Sequence, residues 1–288
     1  MAQLLLSGEE KHFIVSGIEQ DFRCDGRGIT DFRAISVETG VVSNTNGSSQ
    51  VKLAGTNVLI GVKASLGETL PQAPNQGHLE FFVDCSANAS PIFEGRGGDD
   101  LASELSNGLA RTFCNGTIDL RSLCVIPGQS CWTLYIDALV LECDGNLFDV
   151  LSVAIQAALH DTRLPKLHII GEGSERDIEL SDDPYDVVQL ELANVPVLVT
   201  LNKIGNRFVV DATAKEEACS DAQILVSVNR QGNICSMQKH GSGGINPELM
   251  FEMLDAGKIV GGEIIDRLSE VLARADANPE APKVGFYK

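Results

Sequence analysis

With 288 residues, 43% of them hydrophobic and 22% charged, the chain can bury the core of one large α/β unit or two linked ones, and is too apolar to be disordered. Lys and Arg total 22 against 40 Asp and Glu, a formal net charge of −18. That balance argues against autonomous binding to a phosphate backbone, because such affinity comes mainly from basic side chains, but it leaves room for an RNA machine whose neighbouring subunits carry the positive charge.

The first residues, MAQLLLSGEEKHF, have a short leucine run and no basic region, so neither a signal peptide nor a membrane helix is expected. Eight cysteines, at 24, 85, 114, 124, 131, 143, 219 and 235, form no CxxC pair and match no zinc spacing; they are expected as reduced thiols packed in the core. In the reducing compartment this implies, the Asn-x-Ser/Thr triplets at Asn46, Asn88 and Asn115 carry little weight.

Ser7 and Glu10 form a capping box that opens a helix over 7–22, with Phe13, Ile14, Gly17 and Ile18 on one face. Strand-like runs follow at 34–42, 49–53, 57–65 and His78–Cys85, separated by turn residues such as Asn46-Gly47, in a sheet expected to be antiparallel in part. Leu101, Leu105, Leu109 and Phe113 recur every four residues and predict a helix over 99–114 with one apolar stripe. The run 132–143 reads as a long central strand. Asp144-Gly145-Asn146 then turns the chain into a helix over 148–160, whose Ala154, Ala157 and Ala158 allow close packing.

The acidic stretch 171–186 reads as a boundary or long loop. Beyond it, strands are predicted at 195–202, 207–211, 223–229 and 234–239. A last helix runs over 246–273, with Asn246 as N-cap, Pro247 first, and Leu249, Met253, Val260, Ile264, Leu268 and Val271 on one face. Both halves read as strands backed by helices, and the division falls at 1–190 and 191–288.

The glycine-rich stretches at 95–98, 171–173 and 241–244 lack the GK[ST] of a P-loop and read as turns; Lys239 and His240 before the third could reach a phosphate, though a solvated strand end is the simpler reading. No two of the histidines at 12, 78, 160, 168 and 240 stand four apart, and neither HExxH nor GxSxG occurs. Asp211 and Glu217, six apart after a strand, could in principle offer oxygen ligands to a hard metal.

The ordered motifs resemble the RNase PH family. Arg23-Cys24-Asp25-Gly26-Arg27 with Phe32-Arg33 resembles its opening signature, and Asn46-Gly47-Ser48-Ser49 and Gly55-Thr56-Asn57-Val58 its strand motifs. Asp144-Gly145-Asn146 with the alanine-rich helix is similar to its D-G-G or D-G-N loop, and Val210-Asp211-Ala212-Thr213 with Glu216-Glu217 to its second-half element. The resemblance implies an α/β (α+β) RNase PH fold of two packed strand-plus-helix units of the ribosomal-protein-like type.

Within the family the chain is similar to the branch of the inactive ring paralogue, as found in the eukaryotic RNA exosome. That likeness implies a non-catalytic subunit with no cofactor and no membrane association, placed in a hetero-oligomeric ring with other RNase PH-like subunits, cap subunits bearing OB and KH modules, and an associated exoribonuclease. RNA would be met only in the complex, in the nucleus and nucleolus and also in the cytoplasm.

Active relatives carry Thr and Arg after the D-G-G turn, where the Arg fork can hold the attacking phosphate; here those positions are Leu147 and Phe148, and Asp149 adds a like charge. Losing such a charged hydrogen bond costs about 1.5–3 kcal/mol. The family's magnesium pair reads Asp211 and Glu217, with one ligand changed. Of an Arg-x-x-Arg pair that faces RNA in archaeal-type relatives, Arg111 remains and Cys114 replaces its partner. The competing readings are an active phosphorolytic 3′-exoribonuclease using phosphate and magnesium, and a metabolic α/β enzyme unrelated to RNA.

Overall fold

A computed structural model describes residues 6–114, 118–170, 177–181, 183, 186–192 and 194–277. The chain opens with helix α1 (Gly8–Glu19), capped by Ser7, whose hydroxyl accepts from the Glu10 N–H while the Glu10 carboxylate accepts from the Ser7 N–H. This is the expected capping box. Strands β1 (Ile35–Thr39), β2 (Gly47–Leu53), β3 (Thr56–Glu68) and β4 (His78–Cys85) follow, then a single 3-10 turn at Pro91–Phe93 and helix α2 (Gly97–Phe113). After β5 (Cys124–Ile126) and the long β6 (Ser130–Glu142) comes helix α3 (Leu147–Asp161).

The first sheet has the order β1-β2-β3-β6-β4, with β5 on β6; β4 runs parallel to β6 and every other pair is antiparallel. Short strands β7 (Arg163–Pro165), β8 (Leu167–Ile170), β9 (Asp177–Leu180) and β10 (Val187–Gln189) pair only among themselves, β7 with β10 and β8 with β9. The second sheet is antiparallel, β12-β11-β13-β14, from β11 (Val197–Ile204), β12 (Arg207–Val210), β13 (Ala222–Val228) and β14 (Ile234–His240). The one-turn helix α4 (Ala214–Glu217) lies between β12 and β13, and α5 (Pro247–Ala277) closes the described chain.

Helix α3 is the spine of the molecule. It packs on β2 and β3 of the first sheet and on β11 of the second, and its side chains are buried almost without interruption from Leu147 to Leu159. Its alanines let strand backbones approach: the Ser49 hydroxyl on β2 donates to the Ala154 carbonyl at 2.7 Å, and the Leu198 N–H on β11 donates to the Ser152 hydroxyl at 2.9 Å. Strand β13 is buried at every residue because α5 covers the face away from the first sheet. Gly257 and Gly261 of α5 rest against Val226 and Val228, where an added methyl would sit only 3.0–3.3 Å from the valine side chains. One hydrophobic cluster runs through both sheets, and a smaller one joins Ile14 and Ile18 of α1 to Ile204, Val209 and Ala212.

Several expectations need correction. Phe13 is 62% exposed, so α1 docks through Ile14 and Ile18, with Val15 packed beside them, and not through Phe13. In α5 the stripe passes through Leu272, leaving Val271 outward. Gly97 and Gly98 begin a helix instead of making a turn. All eight cysteines are free, but Cys24, Cys114 and Cys235 are exposed and only Cys85 and Cys131 are buried. In the acidic stretch, the alternation Asp177-Ile178-Glu179-Leu180 makes strand β9 where a loop was expected; the 171–173 glycine turn and Asn115 lie outside the described residues. No helix among the described residues is long and apolar enough to cross a membrane.

Gly47 shows how tightly α3 is held. A Cβ there would fall 2.6 Å from both the Ala158 carbonyl oxygen and the Thr162 Cα, and against the Thr162 hydroxyl. Backbone atoms cannot swing aside, so Gly47→Ala is expected to destabilise by about 1–3 kcal/mol through overpacking. Urea unfolding checks this; a change within experimental error would mean that β2 and α3 slide apart freely.

Candidate functional site

The turn Asp144-Gly145-Asn146 leads from β6 into α3 through two left-handed residues, Gly145 at φ 86° and Asn146 at φ 57°. Glycine is needed at 145 because a Cβ would lie 2.7–2.8 Å from the backbone of Ala212, Thr213 and Ala214. Thr56 buttresses the turn: its hydroxyl donates to the Gly145 carbonyl at 2.8 Å and accepts from the Asp144 N–H at 3.0 Å.

Asp211, fully buried and itself left-handed at φ 49°, is the hub. Its Oδ1 accepts from Arg33 Nη2 and Asn146 Nδ2, both at 2.8 Å; its Oδ2 accepts from Arg33 Nε at 2.9 Å and from the Arg33 N–H and Arg27 Nη1 at 2.8 Å. Burial works to raise its pKa, but hydrogen bonding and charge from Arg33 outweigh it and hold the carboxyl below its ordinary value. Beside it, Arg23, 2% exposed, grips Glu216 bidentately (2.9 and 2.7 Å) and donates to the Val210, Asp211 and Gly28 carbonyls. The three arginines of the opening segment thus lock onto the turn after β12.

A carboxylate has about four lone-pair sites, and five donors already converge on Asp211. This arrangement does not fit a divalent cation, which needs oxygens free to coordinate. Glu217 is also occupied: its Oε1 accepts from the Asn146 N–H at 2.7 Å. Burial pushes the Glu217 carboxyl up to about 7, opposed by that hydrogen bond and by Arg33 and reinforced by Asp211 and Asp144. Among the described residues there is no group of three or more His, Cys, Asp or Glu side chains able to hold a metal.

The N-terminus of a helix ordinarily attracts anions. At α3 that end is taken by the chain's own Glu217, and the positions after the turn are filled by core residues. Leu147 and Phe148 are 8% and 9% exposed; the Phe148 ring packs on His240 at 5.5 Å between centroids and lies under Gly108 of α2. Asp149 does not present a charge to the same opening, as the sequence suggested. It points the other way, to the Thr200 hydroxyl on β11 at 2.7 Å, and burial pushes its carboxyl up to about 7.

In front of these residues lies a cleft of about 190 Å³. Ile92, Phe93, Leu101, Leu105, Leu147 and Phe148 give it apolar walls, Glu104 and Glu217 give it two carboxylates, and among the described residues neither Arg111 nor any other Lys or Arg lines it. Sequence reasoning missed Glu104 here, and missed that its carboxylate lies 2.7 Å from Nδ1 of His240, a residue the sequence offered to a phosphate, because the two are 136 positions apart in the chain. Lys239 donates to the Gly241 carbonyl at 2.8 Å, within its own turn. Arg111 is exposed in the last turn of α2, and Cys114 caps that helix.

Comparison with known proteins matches residues 31–165 to the RNase PH model, "3' exoribonuclease family, domain 1", and residues 194–260 to its domain 2. The chain belongs to the RNase PH family. A Dictyostelium discoideum protein named "Putative exosome complex exonuclease RRP42" is 37% identical, the match covering 93% of this chain and 98% of that one. The Pyrococcus furiosus "Exosome complex component Rrp42" is 32% identical, covering 96% and 98%. Among solved structures, an Archaeoglobus fulgidus exosome with RNA bound to its active site aligns with a TM-score of 0.78 at 27% identity, over 90% of this chain and 97% of that one. Of the RNase PH motifs found in the sequence, all but Asn46-Gly47-Ser48-Ser49, which packs on the C-terminal half of α3, converge on one place, with Arg23, Arg27 and Arg33 from the first half meeting Asp211 and Glu216 from the second.

Proposed function

We propose that this chain is a non-catalytic subunit of an exosome-type ring of RNase PH-fold proteins, supporting 3′-to-5′ RNA processing and degradation by shaping the RNA channel and seating cap and nuclease subunits. Membership of the ring rests on the relatives named as exosome components and on the archaeal exosome neighbours. The absence of catalysis rests on one observation above all: Glu217 accepts the Asn146 N–H at the start of α3, the place where an attacking phosphate would be held. With Leu147 and Phe148 buried beside it, the site offers phosphate a carboxylate and hydrocarbon in place of an Arg fork. The net charge of −18 supports contact with RNA only inside a ring whose other members are basic, and Arg111 is our candidate for such a contact. The same charge disfavours a ring of identical copies, so the neighbours are different RNase PH-like subunits. We place the complex in the nucleus and nucleolus and in the cytoplasm.

Incubating the pure chain with single-stranded RNA, magnesium and phosphate tests the catalytic part. Nucleoside diphosphate release is expected to equal that of a buffer control. Release that follows the chain through purification and disappears in Glu217→Gln would make it a phosphorolytic exoribonuclease instead.

A further inference from the structure

Removing the phosphate fork has left an opening of reversed electrostatic character. Among the described residues that line the cleft, two carry negative charge when ionised and none is Lys or Arg. Nearby positive charge is already committed: Arg23 to Glu216, Arg33 to Asp211, and Arg27 to Asp25 and Asp211. Glu104 is met by His240, whereas the Glu217 carboxylate receives one backbone N–H and lines the opening. A partly buried carboxylate that receives so few hydrogen bonds favours a cation that can hydrogen-bond to it.

Size narrows the occupant. At about 190 Å³ the cleft is smaller than the roughly 300–1,000 Å³ of sites for drug-sized ligands. It suits one long side chain, with apolar walls for a methylene stem and a carboxylate for the charged head. The Phe148 ring in the wall favours a planar guanidinium, which stacks on aromatic faces and forks onto carboxylates, over a strongly hydrated ammonium.

We infer that this cleft receives an arginine side chain presented by a basic partner polypeptide. The inference rests on the reading of the cleft as one that no longer holds phosphate. The partner is not a second copy, because two chains of charge −18 repel, while a basic protein is drawn to such a surface.

Binding of N-acetyl-arginine amide to the full chain, followed by NMR and calorimetry, tests this against N-acetyl-citrulline amide, which is nearly isosteric but uncharged, and against inorganic phosphate. Arginine amide is expected to saturate a single site and shift the Phe148 and Gly108 signals. Citrulline amide should bind at least about tenfold more weakly, and Glu217→Gln should weaken arginine by at least about tenfold, as expected when a hydrogen bond between charged groups is lost. Ala218→Leu, which narrows the cleft from its wall without touching a charge, should abolish the binding. Equal binding of arginine and citrulline, no binding of arginine, or indifference to both substitutions overturns the inference and leaves the non-catalytic reading standing. Phosphate binding that shifts the same signals overturns both.

Discussion

Asp211→Ala is expected to lower the stability of the chain by about 3–5 kcal/mol, the cost of breaking a buried ion pair and leaving its cations uncompensated. Two guanidiniums are at stake, because Arg27 and Arg33 both bond Asp211 and are themselves largely buried, with side chains 14% and 7% exposed. Asn146 would lose its Nδ2 partner at the same time, which loosens the start of α3. For a chain of this size the loss corresponds to a fall in Tm of roughly 10 °C. Asp211→Asn should recover only part of it, since an amide carries one acceptor and no charge. Urea unfolding of the three proteins decides the matter, and a cost below about 1 kcal/mol for Asp211→Ala would show that the cluster is not structural. A large cost has a practical consequence: loss of any activity in an Asp211 variant reports unfolding as readily as metal binding, which is why Glu217→Gln is the better control.

Much of this architecture was legible along the chain because it obeys short periods. The capping box at Ser7, the four-residue stripe of α2, the alanines of α3 and the bounds of β4 all came from neighbours in sequence. Strands β7 to β10 were not legible, since three or four residues are too few to establish alternation. The errors at Phe13 and Val271 have one cause: helical spacing places a residue near a face without saying how wide the covered stripe is. The site was legible as motifs but not as a mechanism. Arg23 bonds Glu216 across 193 positions and Arg33 bonds Asp211 across 178, so no local pattern reveals that the family signature acts as a clamp. Asp149 beside Phe148 suggested a charge facing phosphate, yet consecutive residues in a helix point about 100° apart, and Asp149 went to the second sheet.

Replacing that residue, Asp149→Asn, is expected to change how stability depends on pH. Burial between α3 and β11 pushes the Asp149 carboxyl up to about 7; hydrogen bonding from Thr200 opposes the rise and the Asp211 charge adds to it. Between its ordinary value near 4 and about 7, the folded chain keeps a proton that the unfolded chain releases. The folded state then binds more protons, so this group's contribution to stability falls as pH rises through that window and levels off above it. Asparagine has the same shape and no such titration, and its amide brings a donor to a place where Asp149 Oδ2 and Asn146 Oδ1 are buried acceptors without partners. Relative to the natural chain, the variant should therefore gain about 3 kcal/mol on going from pH 5 to pH 8, at 1.36 kcal/mol per unit over the two units below 7. Glu217, also pushed up to about 7, titrates in both proteins and cancels in the difference. Urea unfolding of both proteins at a series of pH values measures the gain, and the carbon chemical shift of the Asp149 carboxyl gives its titration directly. Stability curves that stay parallel from pH 5 to pH 8 would show that Asp149 ionises normally and that α3 tolerates a bare charge at its first turn.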